Sequence, residues 1–297
     1  MPLRKLSLVT FLLGAALAPA HARADDWLGA RSAGRGGTGI ADGTDAGAVS
    51  VNLATLSMAP RYDIVAGGVR GPDDTWLGRV AAADSRTSAV TLGAAYTYRA
   101  DDVPPVGASL PGWVLAGDEI DNPTTHQSLT VGLAYPFLGK KLGLGVTGRY
   151  DWRSAQNEGS ADAFNVGVSA AAAPAESVIL AAGVQNLVDS GYADTRRLVD
   201  LGVRWMPGKY LALEVGAKTE WMGEPFEASL GEQAGVDVYA TEWLVLRGGW
   251  QHEGGEHTVG GGIGLLSDRA ALDYALTGEL GSDPLRLWHG LDLRIHF

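Results

Sequence analysis

The sequence predicts an all-β protein, a transmembrane antiparallel up-and-down β-barrel of about fourteen strands with an N-terminal plug (hatch) segment. Three observations predict this fold. From residue 62 onward, segments of about ten residues alternate apolar and polar side chains, short and long connections alternate between them, and aromatic residues gather near the segment ends. Strands of ~9–11 residues span a bilayer, whereas globular strands average ~5–6. The predicted location is therefore the bacterial outer membrane.

The first residues have the pattern of a secretory signal peptide. Arg4 and Lys5 precede an apolar stretch over residues 6–18, and small residues at 22 and 24 suit cleavage, which predicts a signal peptide over residues 1–24. The apolar stretch is shorter than the ~20 residues of a membrane-spanning helix. Because the chain has no cysteine, lipid anchoring through cysteine and disulfide bonds are excluded.

The composition also excludes classes of function. The net charge of −11 argues against nucleic acid as a partner, because phosphate binding requires a basic face. There is no thiol, no G-x-S-x-G nucleophile elbow and few histidines, so no catalytic constellation is apparent. We therefore expect no enzymatic activity and no cofactor.

The clearest strand pattern covers residues 142–153, where Leu144 and Val146 share one face and Arg149 and Asp151 share the other. In a soluble sandwich the apolar face would be the core, whereas in a membrane barrel it faces lipid. Strand length, alternating connections and two aromatic bands favour the membrane barrel. The predicted strands are residues 61–71, 75–83, 88–99, 126–137, 141–153, 163–173, 177–187, 196–206, 210–221, 229–239, 243–252, 257–267, 269–280 and 285–297.

Charged side chains recur on the polar faces, and we expect them to line the lumen. One interpretation is a salt-bridged interior that fills the barrel and keeps it shut; the other is a lining that guides a solute. The first is favoured, because a hatch and these long side chains would occupy much of the lumen. The predicted lumen-facing charges are Arg149, Asp151, Arg153, Arg204, Glu214, Lys218, Asp273, Asp292 and Arg294.

A weak metal-site candidate lies in the sequence HEGGEH at residues 252–257. A Gly-Gly turn brings His252 and His257 towards each other, together with two glutamates. The alternative is a polar hairpin whose glycines only supply the turn. We favour the hairpin, because no partner that would orient the ligands is apparent.

Residues 25–61 do not alternate and are rich in Gly, Ala and Asp. Three of the glycines match the spacing of a dinucleotide-binding fingerprint, but no strand precedes them and no βαβ unit surrounds them. A small-residue segment that packs inside the lumen of a barrel over residues 62–297 fits better. The predicted hatch residues are Gly34, Gly36, Gly37, Gly39, Asp42, Asp45, Asn52 and Leu56.

The run ARSAGRGGTGIADGTDAGAVSVNLATLS at residues 30–57 resembles the N-terminal segment of FadL-type fatty-acid channels and of the related PorV/PorQ-type barrels. Later motifs at 183–191, 244–250 and 257–265 are similar to strand motifs of PorV-like proteins. Where the family has Asn-Pro-Ala-Gly-Leu, this chain has Asn-Leu-Ala-Thr-Leu at 52–56. That difference removes a rigid turn and a permissive backbone position.

The resemblance implies two possible functions. The main expectation is a PorV-like barrel component of an envelope-spanning secretion or surface-motility complex, with other envelope proteins as partners; short outer loops and the altered motif favour it. The alternative is FadL-like passage of small hydrophobic compounds or fatty acids, which the glycine-rich hatch favours. The resemblance further implies that Leu293, Ile295 and Phe297 form a C-terminal signal for the barrel-assembly machinery, with outer-membrane lipid around the barrel.

Overall fold

A computed structural model of the protein describes residues 29–71, 75–101, 124–155, 159–188, 197–221, 230–282 and 285–297. The predicted signal peptide lies outside these residues. The described chain forms fourteen antiparallel strands that pair in chain order, and β1 pairs with β14 to close the barrel. This architecture confirms the predicted fold class.

The strands agree with the sequence pattern to within a few residues at each end. The largest difference is β6, which extends further at its N-terminal end than the pattern predicts. The strands are β1 Tyr62–Arg70, β2 Trp76–Asp84, β3 Thr91–Asp101, β4 Thr124–Phe137, β5 Leu142–Ala155, β6 Gly159–Ala175, β7 Val178–Gln185, β8 Arg197–Gly208, β9 Leu211–Trp221, β10 Leu230–Tyr239, β11 Leu244–Glu253, β12 Glu256–Leu266, β13 Ala270–Leu280 and β14 Leu287–His296.

The apolar faces point outwards. In β13, Leu272, Tyr274 and Leu276 are 41%, 40% and 39% exposed, whereas Asp273 between them is fully buried at 0%. In a water-soluble protein this arrangement would place the aliphatic side chains in water and the carboxylate in the core. It is the arrangement of an outer-membrane barrel, whose outer surface faces hydrocarbon.

The two rims of the barrel differ. We call the rim with the short turns, such as residues 176–177 and 209–210, the turn side, and the opposite rim the loop side. Rings meet at both: Tyr62 packs on Phe297 at 5.3 Å on the turn side, and Trp76 lies 6.1 Å from Tyr98 on the loop side. Short turns face the periplasm in barrels of this kind, so the turn side is the periplasmic side.

Residues 29–61, which we call the hatch segment, lie inside the barrel. The segment contains two short helices, α1 (Ala30–Ala33) and α2 (Leu53–Ser57), with a 3-10 helix at Ala46–Ser50 between them. Leu53 and Leu56 are fully buried in an apolar cluster with Ala95 and Ala134 of the wall. No helix in the described part of the chain is both long and apolar enough to cross a membrane.

The outward orientation of β14 makes a testable prediction. Leu291 lies near the middle of the strand and is 51% exposed, whereas Leu287 lies at its loop-side end. We expect Leu291→Arg to lower the free energy of unfolding in lipid by about 2–4 kcal/mol and Leu287→Arg by about 0–1 kcal/mol, because the cost of a charge depends on membrane depth. Denaturant unfolding in lipid vesicles measures both. Equal costs at the two positions would contradict the assignment of the membrane-facing surface.

Candidate functional site in the barrel lumen

The wall of the barrel carries glycines, which have no side chain, where it contacts α1 and the residues that follow α1. A Cβ atom on Gly249 would overlap the carbonyl carbon of Arg35, and one on Gly235 would lie 2.6 Å from the Arg35 oxygen. A Cβ atom on Gly260 would overlap the Ala33 oxygen. The backbone of the hatch segment therefore rests directly on glycines of β10, β11 and β12.

A second group of wall glycines receives α2 on the opposite side of the lumen. A Cβ atom on Gly93 would lie 2.9 Å from Leu53 Cδ1, one on Gly132 would lie 2.7 Å from Leu53 Cδ2, and one on Gly143 would overlap the Ala54 oxygen. These strand glycines face the lumen on β3, β4 and β5. They leave room for the hatch segment rather than supplying turns.

Two of the predicted hatch glycines, Gly34 and Gly36, also lie close to the backbone of the wall strands. Gly36 and Gly37 have φ angles of 66° and 82°, which favour glycine, and a Cβ atom on Gly36 would also overlap the backbone of Trp250. Gly34 approaches the β12 backbone, where its Cβ atom would lie 3.2 Å from Gly262 Cα. The Gly39 carbonyl accepts a hydrogen bond from the Asp42 amide at 3.1 Å.

Asn52 attaches the hatch segment to the wall. Its side-chain oxygen caps α2 by accepting from the Ala54 amide at 3.1 Å, and its Nδ2 donates to the carbonyl oxygens of Ala170 at 3.1 Å and Ala182 at 3.4 Å. The side chain thereby joins α2 to β6 and β7. The altered motif at residues 52–56 still forms a capped helical turn, and Leu56 is fully buried.

Four charged side chains of the hatch segment pair with one another; Arg31, Arg35 and Asp42 are buried and Asp45 is partly buried. Arg31 Nη2 lies 3.0 Å from Asp42 Oδ2, and Arg35 Nη2 lies 2.7 Å from the same oxygen. Arg31 Nη1 also lies 3.6 Å from Asp45 Oδ2 and donates to the Thr44 hydroxyl. Two arginines and two aspartates are thus held within one stretch of fifteen residues.

The facing wall carries its own chain of ion pairs. Arg204 of β8 lies 3.2 Å from Glu214 of β9 and 3.0 Å from Asp237 of β10. Arg247 of β11 lies 3.3 Å from Asp237 and 2.6 Å from Asp273 of β13. Each of these side chains is nearly or fully buried. Strands that are one or two positions apart therefore neutralise one another in the turn-side half of the lumen.

Two predicted lumen charges on β14 also belong to this network of ion pairs. Arg294 lies 2.8 Å from Asp273 on the wall and 3.3 Å from Asp45 of the hatch segment. Asp292 accepts a hydrogen bond from the Ala30 amide at 2.7 Å, at the first residue of α1, and lies 3.9 Å from Arg79 Nη2. β14 therefore both closes the barrel and contacts the hatch segment.

Ion pairs that cross from the hatch segment to the wall are longer than the closest pairs within each part. Arg35 lies 3.4 Å from both Glu214 and Asp237, and the remaining crossing pairs are 3.3–3.8 Å. The closest pair within the hatch segment is 2.7 Å, and the closest within the wall is 2.6 Å. The shortest ion pair of each part is therefore internal, although Asp45 lies closer to Arg294 of the wall than to Arg31.

The arginines around Asp42 keep it ionised. Burial raises the pKa of an aspartate, but Arg31, Arg204 and Arg35 outweigh burial and hold the pKa of the Asp42 carboxyl well below its usual value of 3.8. A carboxyl group with a lowered pKa contributes stability above its unfolded-state pKa and loses that contribution as the pH falls towards the folded-state value.

Not every predicted lumen charge joins this network. Arg149 pairs with Asp151 at 2.7 Å in the loop-side half, where Asp151 also contacts His126 at 3.1 Å. Lys218 is buried in the lumen on β9. The backbone of Arg153 belongs to β5, but its side chain lies outside the described part of the structure.

The strand pattern did not identify three arginines of the ion-pair network, two in the hatch segment and one in the wall. Arg31 and Arg35 belong to a segment that does not alternate, so the strand pattern assigned them no face. Arg79 lies on β2, where the alternation is poor. A usable signal was present, because Arg31 and Arg35 stand four residues apart, one helical turn, in a segment otherwise made of small residues.

A cavity of about 90 Å³ remains in the loop-side half, between β2 and β7. The hatch segment forms its floor through Val49 and Leu53, and Arg79, Arg149 and Asn165 stand in its wall. The hatch segment thus separates this cavity from the turn side. The lumen is filled at one end and partly open at the other.

The histidine pair at the β11–β12 hairpin lies outside the lumen. His252 and His257 stack with ring centroids 4.6 Å apart, and Trp250 Nε1 donates to His257 Nδ1 at 3.2 Å. In the residues that the structure describes, no three His, Cys, Asp or Glu side chains are grouped to hold a metal ion.

The predicted assembly signal lies on the outer surface of the closing strand. Leu293 and Ile295 are exposed to the membrane, and Phe297 packs on Tyr62 of β1. Recognition of these residues by the barrel-assembly machinery stays a prediction.

Comparisons with known proteins identify the architecture. No family model and no curated protein matches the sequence. The fold is similar to the toluene transporter TbuX of Ralstonia pickettii (TM-score 0.66, 12% identity, 90% of this chain and 97% of that chain). It is also similar to a Pseudomonas aeruginosa FadL homologue (TM-score 0.66, 10% identity, 91% of this chain and 98% of that chain). A third similar structure is the P. putida toluene transporter TodX (TM-score 0.60, 12% identity, 90% of this chain and 96% of that chain). The protein has the fold of FadL-type outer-membrane barrels, and the similarity does not specifically support the PorV-like interpretation.

The glycine contact makes a testable prediction. We expect Gly249→Ala to displace the hatch segment, because the added methyl group would overlap the backbone carbonyl carbon of Arg35. Overpacking of about 1–3 kcal/mol would raise hydrogen exchange in residues 29–57 roughly five- to a hundredfold. Gly261→Ala is the matched control, since a Cβ atom there meets nothing within 4 Å. Equal exchange in the two variants would contradict direct contact of the hatch backbone with β11.

The lowered pKa of Asp42 makes a second prediction. We expect protection of residues 29–57 from hydrogen exchange to persist from neutral pH to pH ~5 and to fall once the pH drops below 3.8, the usual value for an aspartate. Asp42→Asn should lower protection at neutral pH about a hundredfold, because it leaves buried arginines without their carboxylate. A variant as protected as the native protein at neutral pH would show that the ion pairs of Asp42 do not hold the segment.

Proposed function

We propose that this FadL-type barrel is a gated passage for small, mainly apolar organic molecules across the outer membrane, and that the hatch segment is its gate. Two of the similar solved structures are described as toluene transporters and others as monoaromatic hydrocarbon channels. These descriptions support transport over catalysis. They also support the passage of hydrophobic compounds over a place in a secretion or motility complex.

The observation that carries the proposal is that the charges of the ion-pair network balance within the hatch segment and, separately, within the wall. The hatch segment contributes two arginines and two aspartates to the network. The wall contributes four of each sign: Arg79, Arg204, Arg247 and Arg294, with Glu214, Asp237, Asp273 and Asp292. Removing one partner of a buried pair costs ~3–5 kcal/mol when it leaves an uncompensated charge. Movement of the whole hatch segment leaves the charges of each part balanced; only Asp45 exchanges its closest partner, Arg294 of the wall at 3.3 Å, for Arg31 of the hatch segment at 3.6 Å.

The position of the hatch segment supports the same proposal. It fills the turn-side half of the lumen and forms the floor of the cavity on the loop side. A molecule that enters the cavity from outside meets Val49 and Leu53 on its floor and Arg79 in its wall before it reaches the rest of the charged network. Passage towards the periplasm therefore requires the hatch segment to shift.

A reversible cross-link tests this requirement. A Cβ atom on Gly202 of β8 would lie 3.6 Å from the Cβ atom of Ile40, within the ~3.5–4.5 Å range of disulfides. The native chain has no cysteine, so Ile40→Cys with Gly202→Cys introduces one defined pair. We expect oxidation to reduce the initial uptake of radiolabelled toluene by intact cells to the level of cells without the protein, and a reductant to restore it.

The single variant Gly202→Cys under the same oxidant controls for the reagent. Uptake that is unchanged by a fully formed cross-link would contradict the hatch segment as the gate. Under reducing conditions, cells with the folded barrel should take up more toluene than cells without the protein. Equal uptake would contradict the proposal that the barrel is a passage.

A further inference from the structure

The cavity above the hatch segment is amphipathic. Its floor is apolar, formed by Val49 and Leu53 of the hatch segment and by Leu77 of β2. Its wall is cationic, formed by Arg79 of β2, Arg99 of β3 and Arg149 of β5. Two different surfaces therefore face one small volume, which is how a site for a molecule with one apolar and one charged end is built.

The charge of the cavity is one-sided. Three arginines and His126 line it, and no Asp or Glu stands among the described residues that do so. Two carboxylates lie behind the lining: Asp151 pairs with Arg149 at 2.7 Å and with His126 at 3.1 Å, and Asp292 lies 3.9 Å from Arg79. An anionic group fits this wall better than a neutral or cationic one.

Two lining side chains present hydrogen-bond donors that the described protein atoms do not satisfy. Nε and Nη1 of Arg79 have no acceptor among the described atoms, and the residue is only 4% exposed. Nδ2 of Asn165 on β6 has none either, and Asn165 is 1% exposed; its Oδ1 already accepts from the Val188 amide at 3.2 Å. Buried donors of this kind cost free energy unless an acceptor completes them.

We propose that the cavity binds a small organic acid, with its carboxylate on Arg79 and Asn165 and its apolar body on Val49 and Leu53. The inference rests on the proposed function, because it names the class of molecule that the passage takes. A volume of about 90 Å³ holds roughly six to nine water-sized groups. A single ring that bears a carboxylate fits this volume, and a long acyl chain does not.

Binding to the purified full-length barrel in detergent tests the proposal, with benzoate as the probe. Isothermal titration should show saturable benzoate binding and at least about tenfold weaker binding of benzamide, which has the same shape without the charge. Acetate should bind about tenfold or more weakly than benzoate, because it lacks the apolar body. Equal affinity for benzoate and benzamide, or for benzoate and acetate, would overturn the assignment of an organic-acid site.

Asn165→Asp is the sharpest variant. It keeps an oxygen for the Val188 amide and replaces the unsatisfied donor with a negative oxygen, so the fold is retained while the carboxylate is repelled. We expect a loss of benzoate affinity of about tenfold or more, and a similar loss for Arg79→Gln. Glu279→Gln on β13 lies in the lumen away from the cavity and should bind benzoate like the native protein. An unchanged affinity in Asn165→Asp would overturn the proposal.

The binding and uptake experiments fail independently. Benzoate binding without any effect of the Ile40–Gly202 cross-link on uptake would retain the organic-acid site and reject the gate. Cross-link-dependent toluene uptake without benzoate binding would retain the passage and reject the organic-acid site.

Discussion

The barrel depends on the pairing of β1 with β14. Hydrocarbon offers no water to an open strand edge, so every backbone group of the wall must find its partner within the sheet. Eight residue pairs, from Asp63 with His296 to Arg70 with His289, remove the two edges that a fourteen-stranded sheet would otherwise expose. Closure then directs one face of each strand to lipid and the other to an enclosed lumen, and the lumen must accommodate the polar face.

The lumen accommodates that face with two devices that act together. Wall glycines such as Gly235 and Gly249 bring the hatch backbone against the sheet, so that the shapes of the two parts determine where the segment lies. The ion pairs orient it, because each guanidinium has a defined set of carboxylates. Buried ion pairs add little net stability over apolar packing, so we assign them this orienting role. The small residues therefore determine where the hatch segment lies, and the charged residues determine how it is oriented.

The two halves of the lumen have different chemistry for the same reason. On the turn side the arginines and carboxylates are balanced, and the hatch segment occupies the space between them. On the loop side, Arg79 and Asn165 face a cavity with donors that no described protein atom accepts. A wall that is neutral where it is filled and cationic where it is open is arranged to receive an anionic group. The hatch segment connects the halves, because Val49 and Leu53 belong to the filled part and form the floor of the open one.

The sequence alone determined the strands, their number and the alternation of their faces, because the two-residue repeat is a local property of the backbone. It also identified Arg204, Glu214 and Asp273 as sharing the interior. The alternation alone also suits a soluble sandwich; strand length, connections and aromatic bands predicted that the apolar faces point outwards, and the closed barrel confirmed it. Only the tertiary structure paired Arg35 with Glu214 and Asp237, 179 and 202 residues away. It alone showed that strand glycines seat the hatch segment, because such contacts join residues that no sequence period relates.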